Sequence, residues 1–263
     1  MNVRALMAGL CLIVVTSACG SSVPPTGPGP IVTPPPDQGP PPPPPPSPPT
    51  LGVNRILAFG DSITEGTTST TFTPFTLTAG LSVSYPFKLQ TMVTGRYTTQ
   101  TVSVFNGGKA GEKTVEGRER LGGVMKEAQA QLLLLMEGAN DLNELPAGST
   151  SVSAITGAME DMVRNAQGRG MTVMLATIPP QRTGSGKSAA AGLVEKYNND
   201  LRQMAAKKGA ILVDVYAQFP LSLIGQDSLH PTEQGYQKIA EIFLDAIKAR
   251  YEAPASTITG ARR

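Results

Sequence analysis

Short apolar runs alternate with longer amphipathic stretches along the chain from about residue 53 to residue 252. The runs at 131–136 and 172–176 are almost continuously apolar, which is typical of strands that are buried on both faces of a parallel sheet. The sequence therefore predicts a sheet of parallel strands that is covered on both sides. Its strands are predicted at 55–59, 101–105, 131–136, 172–176 and 210–213.

The amphipathic stretches predict the helices that cover this sheet. In the last of them, Tyr236, Ile239 and Phe243 recur at helical spacing, and Thr232 stands before them as a candidate N-cap. Alternation of strands and helices predicts a three-layer α/β/α sandwich of flavodoxin-like type with a central parallel sheet of about five strands. Ligands of such folds bind at the carboxyl ends of the strands. The helices are predicted at 85–94, 114–130, 152–169, 189–208 and 232–250.

The first 52 residues do not have the composition of a folded domain. Residues 1–19 combine a basic start, an apolar run at 5–15 and small residues before Cys19, as an export signal does. Residues 20–52 contain an unbroken proline run at 40–46 and are predicted to form a linker, either a semi-rigid polyproline II stalk or a disordered segment with no length requirement. The compact domain is predicted at 53–252, and a flexible tail at 253–263.

The export signal resembles that of a bacterial lipoprotein, in which Cys19 becomes the lipidated N-terminus. The alternative is an ordinary secretory signal in which Cys19 has no role. The first interpretation predicts a lipid-anchored protein of the bacterial cell envelope, attached to the membrane through Cys19. The second predicts a soluble periplasmic or secreted protein. Both place the domain outside the cytoplasm, and neither predicts an oligomeric state.

Composition excludes several classes of function. Cys11 and Cys19 are the only cysteines, so the predicted domain has no thiol for catalysis, for a disulfide or for zinc. Lysine and arginine number 22 against 20 acidic residues, and no long basic block occurs, so nucleic-acid binding is not expected.

A single histidine, His230, defines the candidate chemistry of the domain. Histidine is the side chain that most readily takes and returns a proton near neutral pH. Asp227 lies three residues before it, so a carboxylate and an imidazole can meet on one loop. Ser62 follows the first predicted strand, and a serine hydroxyl is a poor nucleophile until a base takes its proton. These residues predict a Ser-His-Asp hydrolase with the parts in the chain order Ser, Asp, His.

Four short blocks resemble those of the SGNH (GDSL-type) esterase and acylhydrolase family. They are Gly-Asp-Ser-Ile at 60–63, Asn-Gly-Gly-Lys-Ala-Gly at 106–111, Gly-Ala-Asn-Asp at 138–141 and Asp-Ser-Leu-His-Pro at 227–231. They occur in the order that the family has. The first three follow predicted strands, where the fold is expected to bind its ligand.

The resemblance implies a role for each block. Ser62 would be the nucleophile, His230 the base, and Asp227 the group that orients and stabilises the imidazolium. The oxyanion hole would consist of the backbone N–H groups of Ser62 and Gly111 and the side-chain amide of Asn140. Gly108 is the alternative to Gly111 if the loop is shifted. No metal and no organic cofactor are implied.

The predicted function is a serine esterase or acylhydrolase that cleaves the carboxylic ester bond of a small ester or acylated substrate through an acyl-enzyme. One alternative is a carbohydrate esterase that removes acetyl groups from cell-wall or other polysaccharides. Another is a non-catalytic surface binding module on the same fold, which has no need of a base aimed at a serine. Segment 67–84 is expected to border the site as an acyl-binding wall, a mobile lid or a plain surface loop.

Overall fold

The computed structural model describes residues 47–68, 82–148, 150–184 and 190–253, together with Gly27 and Gly29. The predicted export signal with Cys19 and most of the predicted linker lie outside the described residues. The strands are β1 (Thr50–Leu51), β2 (Arg55–Gly60), β3 (Ser103–Gly108), β4 (Leu132–Met136), β5 (Thr172–Ala176), β6 (Ile211–Val213) and β7 (Glu252–Ala253). The helices are α1 (Ser62–Glu65), α2 (Tyr85–Arg96), α3 (Thr114–Ala128), α4 (Ala139–Glu144), α5 (Val152–Gly168), α6 (Val194–Lys208), α7 (Val215–Gln218) and α8 (Glu233–Tyr251).

Strands β2 to β6 form one parallel sheet of five strands in the order β3-β2-β4-β5-β6. This is the flavodoxin-like order, and it confirms the predicted α/β fold with a central parallel sheet. All five residues of β4 are buried, as its continuously apolar sequence predicts for a strand covered on both faces. The strand order reverses between β2 and β4, so a crevice is expected beyond their carboxyl ends.

Helices cover the sheet in two groups. Helix α2 packs against α8, and α5 packs against both α3 and α6. The apolar face of α8 is fully buried, and its Phe243 stacks on Tyr85 of α2 with ring centroids 5.1 Å apart. Thr232 caps α8 as predicted, because its hydroxyl accepts a hydrogen bond from the Gly235 N–H at 3.1 Å. None of the helices within the described residues is long and apolar enough to span a bilayer.

The two ends of the domain pair with each other. Strand β1 runs antiparallel to β7, with Thr50 opposite Ala253. Glu252 in β7 accepts hydrogen bonds from Arg96 at 2.6 Å and from Tyr97 at 2.7 Å, which ties this pair to the end of α2. The folded domain therefore extends slightly beyond the predicted limits of 53 and 252, back to Thr50 and on to Ala253. Residues 254–263 of the predicted tail lie outside the described residues.

Most predicted elements agree with the structure to within two residues at each end, and two differ by more than that. Strand β3 continues to Gly108, so Asn106 and both following glycines belong to the strand and not to the loop after it. Helix α6 begins at Val194, after a short 3-10 turn at Ala191–Leu193, whereas the sequence predicts a helix from residue 189. Further 3-10 turns lie at Leu145–Ala147 and Leu221–Leu223.

Candidate active site

Ser62 lies at the carboxyl end of β2, as the first residue of the short helix α1. Gly60, two residues before Ser62, lets the end of β2 lie close to β4. A Cβ atom at Gly60 would lie only 1.9 Å from the Met136 carbonyl oxygen of β4. Asp61 caps α1, and its Oδ1 accepts a hydrogen bond from the Ile63 N–H at 2.9 Å. The turn from strand to helix therefore presents the Ser62 hydroxyl at the crevice end of the sheet.

Ser62, His230 and Asp227 form one hydrogen-bonded chain. Ser62 Oγ lies 2.9 Å from His230 Nε2, across 168 positions of sequence. On the other side of the ring, His230 Nδ1 lies 2.6 Å from Asp227 Oδ2. A carboxylate at Nδ1 favours the tautomer that carries its proton there, which leaves the Nε2 lone pair facing the serine hydroxyl. The structure thus brings together the three residues that the sequence selects.

The Asp227 carboxylate is itself held by its own loop. Its Oδ1 accepts hydrogen bonds from the N–H groups of Leu229 at 3.2 Å and His230 at 3.0 Å. Burial acts to raise the pKa of Asp227, but the hydrogen bonds from the imidazole and these backbone groups outweigh it and hold the pKa below its usual value. The carboxylate is therefore ionised where it meets the ring.

The loop that carries His230 is fastened by Arg182, which follows β5. The Arg182 N–H donates to the Ser228 carbonyl at 3.0 Å, and its guanidinium donates to the Gly225 carbonyl. Ser228 adopts a left-handed φ of 68°, which a residue with a side chain seldom does outside a constrained turn. The sequence analysis does not single out Arg182, since nothing local to residue 182 connects it with the loop at 225–230.

A tight turn places Gly111 beside the serine. The Glu112 N–H donates to the Lys109 carbonyl at 3.2 Å, and Gly111 occupies the third position of the turn with a φ of 77°. That position of a type II turn favours glycine. The Lys109 N–H donates to the Gly60 carbonyl at 3.0 Å, so the turn is attached to β2 just before Ser62.

Asn140 lies in α4, which begins directly after Gly138. Its side-chain amide donates to the Glu112 carbonyl at 2.9 Å, and an amide NH₂ has a second N–H to offer. Gly108 is less suited than Gly111 to the oxyanion role, because its N–H already donates to Asn106 Oδ1 at 2.9 Å.

These groups surround a cleft of about 420 Å³. Asp227 lies behind the imidazole and does not line it. Thr67, at the start of the segment predicted to border the site, does line the cleft, whereas residues 69–81 of that segment lie outside the described residues. The lining residues are Ser62, Thr67, Ala110, Gly111, Asn140, Asn143, Glu144, Leu229 and His230.

Acidic side chains that the sequence analysis does not assign a role are buried near the site. Burial raises the pKa of Asp61 to about 7, and the nearby charges of Asp141 and Glu112 add to this effect. Burial also raises the pKa of Glu137 well above its usual value, and neither of its carboxyl oxygens has a hydrogen-bond partner. Within the described part of the chain, no group of three or more His, Cys, Asp or Glu residues is arranged to hold a metal ion.

The fold and the site define an ester hydrolase of the α/β class. The chain belongs to the GDSL-like lipase/acylhydrolase family, whose model matches residues 58–238. Membership of this family makes the protein a serine ester hydrolase and confirms the resemblance drawn from the four sequence blocks.

Solved structures of similar fold include three hydrolases. An alpha/beta hydrolase enzyme from the metagenome of Lake Arreo, Spain, is 20% identical over 75% of this chain and 96% of that one, with a TM-score of 0.63. The lipase/acylhydrolase from Enterococcus faecalis is 20% identical over 77% and 100%, with a TM-score of 0.62. The acetylxylan esterase Axe2 from Geobacillus stearothermophilus is 21% identical over 75% and 95%, with a TM-score of 0.62. A search of curated protein sequences finds no match.

Proposed function

We propose that this ester hydrolase works through an acyl-enzyme on Ser62, with His230 as general base and Asp227 as its orienting carboxylate. The observation that carries the proposal is the unbroken hydrogen-bonded chain from Ser62 Oγ through the imidazole to Asp227, with distances of 2.9 and 2.6 Å. A serine that only capped a helix would have no need of an imidazole aimed at its hydroxyl. The base activates the hydroxyl, and the carboxylate stabilises the imidazolium that results.

In the first half of the reaction, Ser62 Oγ attacks the ester carbonyl carbon while His230 Nε2 takes the hydroxyl proton. The carbonyl oxygen becomes an oxyanion, which the N–H groups of Ser62 and Gly111 and the Asn140 amide stabilise. The intermediate collapses, the C–O bond to the alcohol breaks, and the imidazolium returns its proton to the leaving oxygen. In the second half, His230 takes a proton from a water molecule while the water oxygen attacks the acyl carbon. The bond between the acyl carbon and Ser62 Oγ then breaks, and the imidazolium returns its proton to Oγ, which releases the carboxylic acid and the free serine.

Acetyl esters of carbohydrates are the second candidate for the substrate. Apart from Ser62 and His230, four polar side chains line the described part of the cleft, and the apolar side chains that line it are Ala110 and Leu229. Polar side chains can hydrogen-bond the hydroxyl groups of a sugar, and a short acyl group needs little apolar surface. One of the enzymes of similar fold is named as an acetylxylan esterase, which supports this candidate by analogy of fold alone.

The test is hydrolysis of p-nitrophenyl acetate, butyrate and decanoate by the full-length chain and its variants. We expect Ser62→Ala to lose about 10³-fold or more of the turnover number and Asp227→Asn to lose about 10³–10⁴-fold. Ser153→Ala is the matched control, because Ser153 is an exposed serine at the start of α5 and does not line the cleft. Equal turnover by wild type and Ser62→Ala would contradict the proposal. Preference for acetate, with release of acetate from acetylated xylan, would support the second candidate.

A further inference from the structure

Glu112 places a buried carboxylate next to the candidate oxyanion hole. Its side chain is fully buried and pairs with Arg120 of α3 through both oxygens, with the Arg120 Nε 2.7 Å from Oε1 and 2.9 Å from Oε2. The Arg120 Nη2 also donates to Oε2. This two-pronged geometry fixes the direction of the carboxylate as well as its distance, which a single contact would not do.

Arg120 is anchored on its other sides to the sheet. Its Nη2 donates to the Gly107 carbonyl of β3 at 2.8 Å, and its guanidinium lies 4.2 Å from the centre of the Phe59 ring of β2. The Arg120 guanidinium therefore connects the ends of β2 and β3 to the turn at 109–112 that follows β3. The position of Glu112 is set by these rigid elements.

The contact from Glu112 to the site runs through its backbone. The Glu112 carbonyl accepts the hydrogen bond from the Asn140 side-chain amide at 2.9 Å. That bond uses one N–H of the amide and fixes the plane in which the other points. A displacement of the Glu112 carbonyl would rotate the Asn140 amide away from the position of the oxyanion.

We propose that the ion pair of buried Glu112 with partly buried Arg120 positions the Asn140 side chain, an inference that rests on the proposed function of Asn140 as an oxyanion donor. Stability alone is a poor reason for the pair, since removing two charges from water costs about as much as their attraction returns. Oxyanion donors are effective because they are already oriented before the reaction begins. An ion pair that fixes the orientation of the Asn140 amide therefore lowers the free energy of the transition state and has little effect on substrate binding.

The kinetic test is a double-mutant cycle on the full-length chain with p-nitrophenyl acetate. We expect Asn140→Ala to lower kcat about 10²–10³-fold. Glu112→Gln should lower kcat about tenfold or more and change KM less than about threefold, because the ion pair acts on the transition state. In the Asn140→Ala background, Glu112→Gln should lower kcat by less than about twofold, since its target is gone. An undiminished effect in that background would overturn the proposal.

Asp214→Asn is the matched control for the loss of an ion pair. Asp214 pairs with Arg202 through two contacts of 2.8 and 3.0 Å and does not line the cleft. We expect its kcat to remain within about twofold of wild type, because the pair has no contact with Asn140. A loss in this variant as large as that in Glu112→Gln would show that any broken ion pair has the effect and would overturn the proposal.

A second measurement does not depend on turnover. The side-chain ¹⁵NH₂ resonance of Asn140, assigned by its loss in Asn140→Ala, should shift in Glu112→Gln and in Arg120→Lys but not in Asp214→Asn. Arg120→Lys retains the positive charge and loses the planar guanidinium, so it tests the geometry of the pair without removing the cation. Unmoved resonances in both variants would overturn the positioning role. Failure of the proposed function is seen separately, as full turnover in Ser62→Ala.

Discussion

The contribution of Asp61 to the stability of the folded protein should fall as the pH rises from about 4 to about 7. The Asp61 carboxyl group is completely buried, and its pKa in the folded protein is about 7 against 3.8 for an exposed aspartate. Between these two values the folded chain holds a proton that the unfolded chain has lost. The stability that this proton supplies is complete below pH 3.8 and is lost as the pH rises through about 7.

The magnitude follows from the size of the shift. Each pH unit between the two pKa values changes the free energy of unfolding by about 1.4 kcal/mol for one proton. A shift of about three units therefore corresponds to roughly 4 kcal/mol for a fully buried group. Asp61→Asn removes the titration and keeps an oxygen for the hydrogen bond that the Ile63 N–H donates. The advantage of this variant over wild type should accordingly grow with pH.

Urea unfolding at half-unit steps from pH 4 to pH 8 measures this difference. Glu160→Gln is the control, because Glu160 is paired with Lys208 and its pKa is lowered by that hydrogen bond. Above about pH 5, Glu160 is ionised in both states, so the difference between this variant and wild type should be constant. A difference for Asp61→Asn that is equally constant across the range would show that Asp61 is ionised throughout and would refute the reasoning.

Two further predictions concern α3 and the N-terminus. A Cβ atom at Gly117 would lie 2.5 Å from a carboxyl oxygen of buried Glu137, so Gly117→Ala should lower the free energy of unfolding by about 1–3 kcal/mol. Gly123 in the same helix has no atom within 4 Å of its Cβ position, so Gly123→Ala should raise the free energy of unfolding by up to about 1 kcal/mol. Urea midpoints that shift by the same amount in the same direction in the two variants would contradict both predictions. We also propose that Cys19 is lipidated. Cys19→Ser should then lose labelling by an alkynyl fatty acid and leave the membrane fraction, whereas an unlabelled wild type would indicate an ordinary secretory signal.

Much of the fold follows from the apolar pattern alone. The strand Leu132–Met136 is continuously apolar because both of its faces are covered, and a run of consecutive apolar residues can be recognised in the sequence. The pair of β1 and β7 has no such signal, since Thr50 finds its partner about two hundred residues later, at Ala253. The helices α1 and α4 are also not predicted. They are four and six residues long, too short for a recognisable period.

Some residues of the candidate site can likewise be predicted from the sequence, and others cannot. His230 is predictable because it is the only histidine in the sequence, and Ser62 because it follows a predicted strand in a recognisable block. The choice between Gly108 and Gly111 depends on where β3 ends, and the apolar pattern places that end three residues too early. The roles of Glu112 and Arg182 depend on contacts with distant elements, and a single sequence contains no record of such contacts.

The two ends of the domain meet at one end of the sheet, and the cleft lies at the other. The Leu51 carbonyl accepts a hydrogen bond from Gln100 at 3.0 Å, just before β3 begins, so both ends leave the domain where the strands start. Ser62 lies where β2 finishes, six residues of strand further on, which is roughly 20 Å away. The chain that enters the domain before Thr50 therefore arrives at the opposite end of the strands from the cleft, so neither end of the domain obstructs access of a substrate to Ser62.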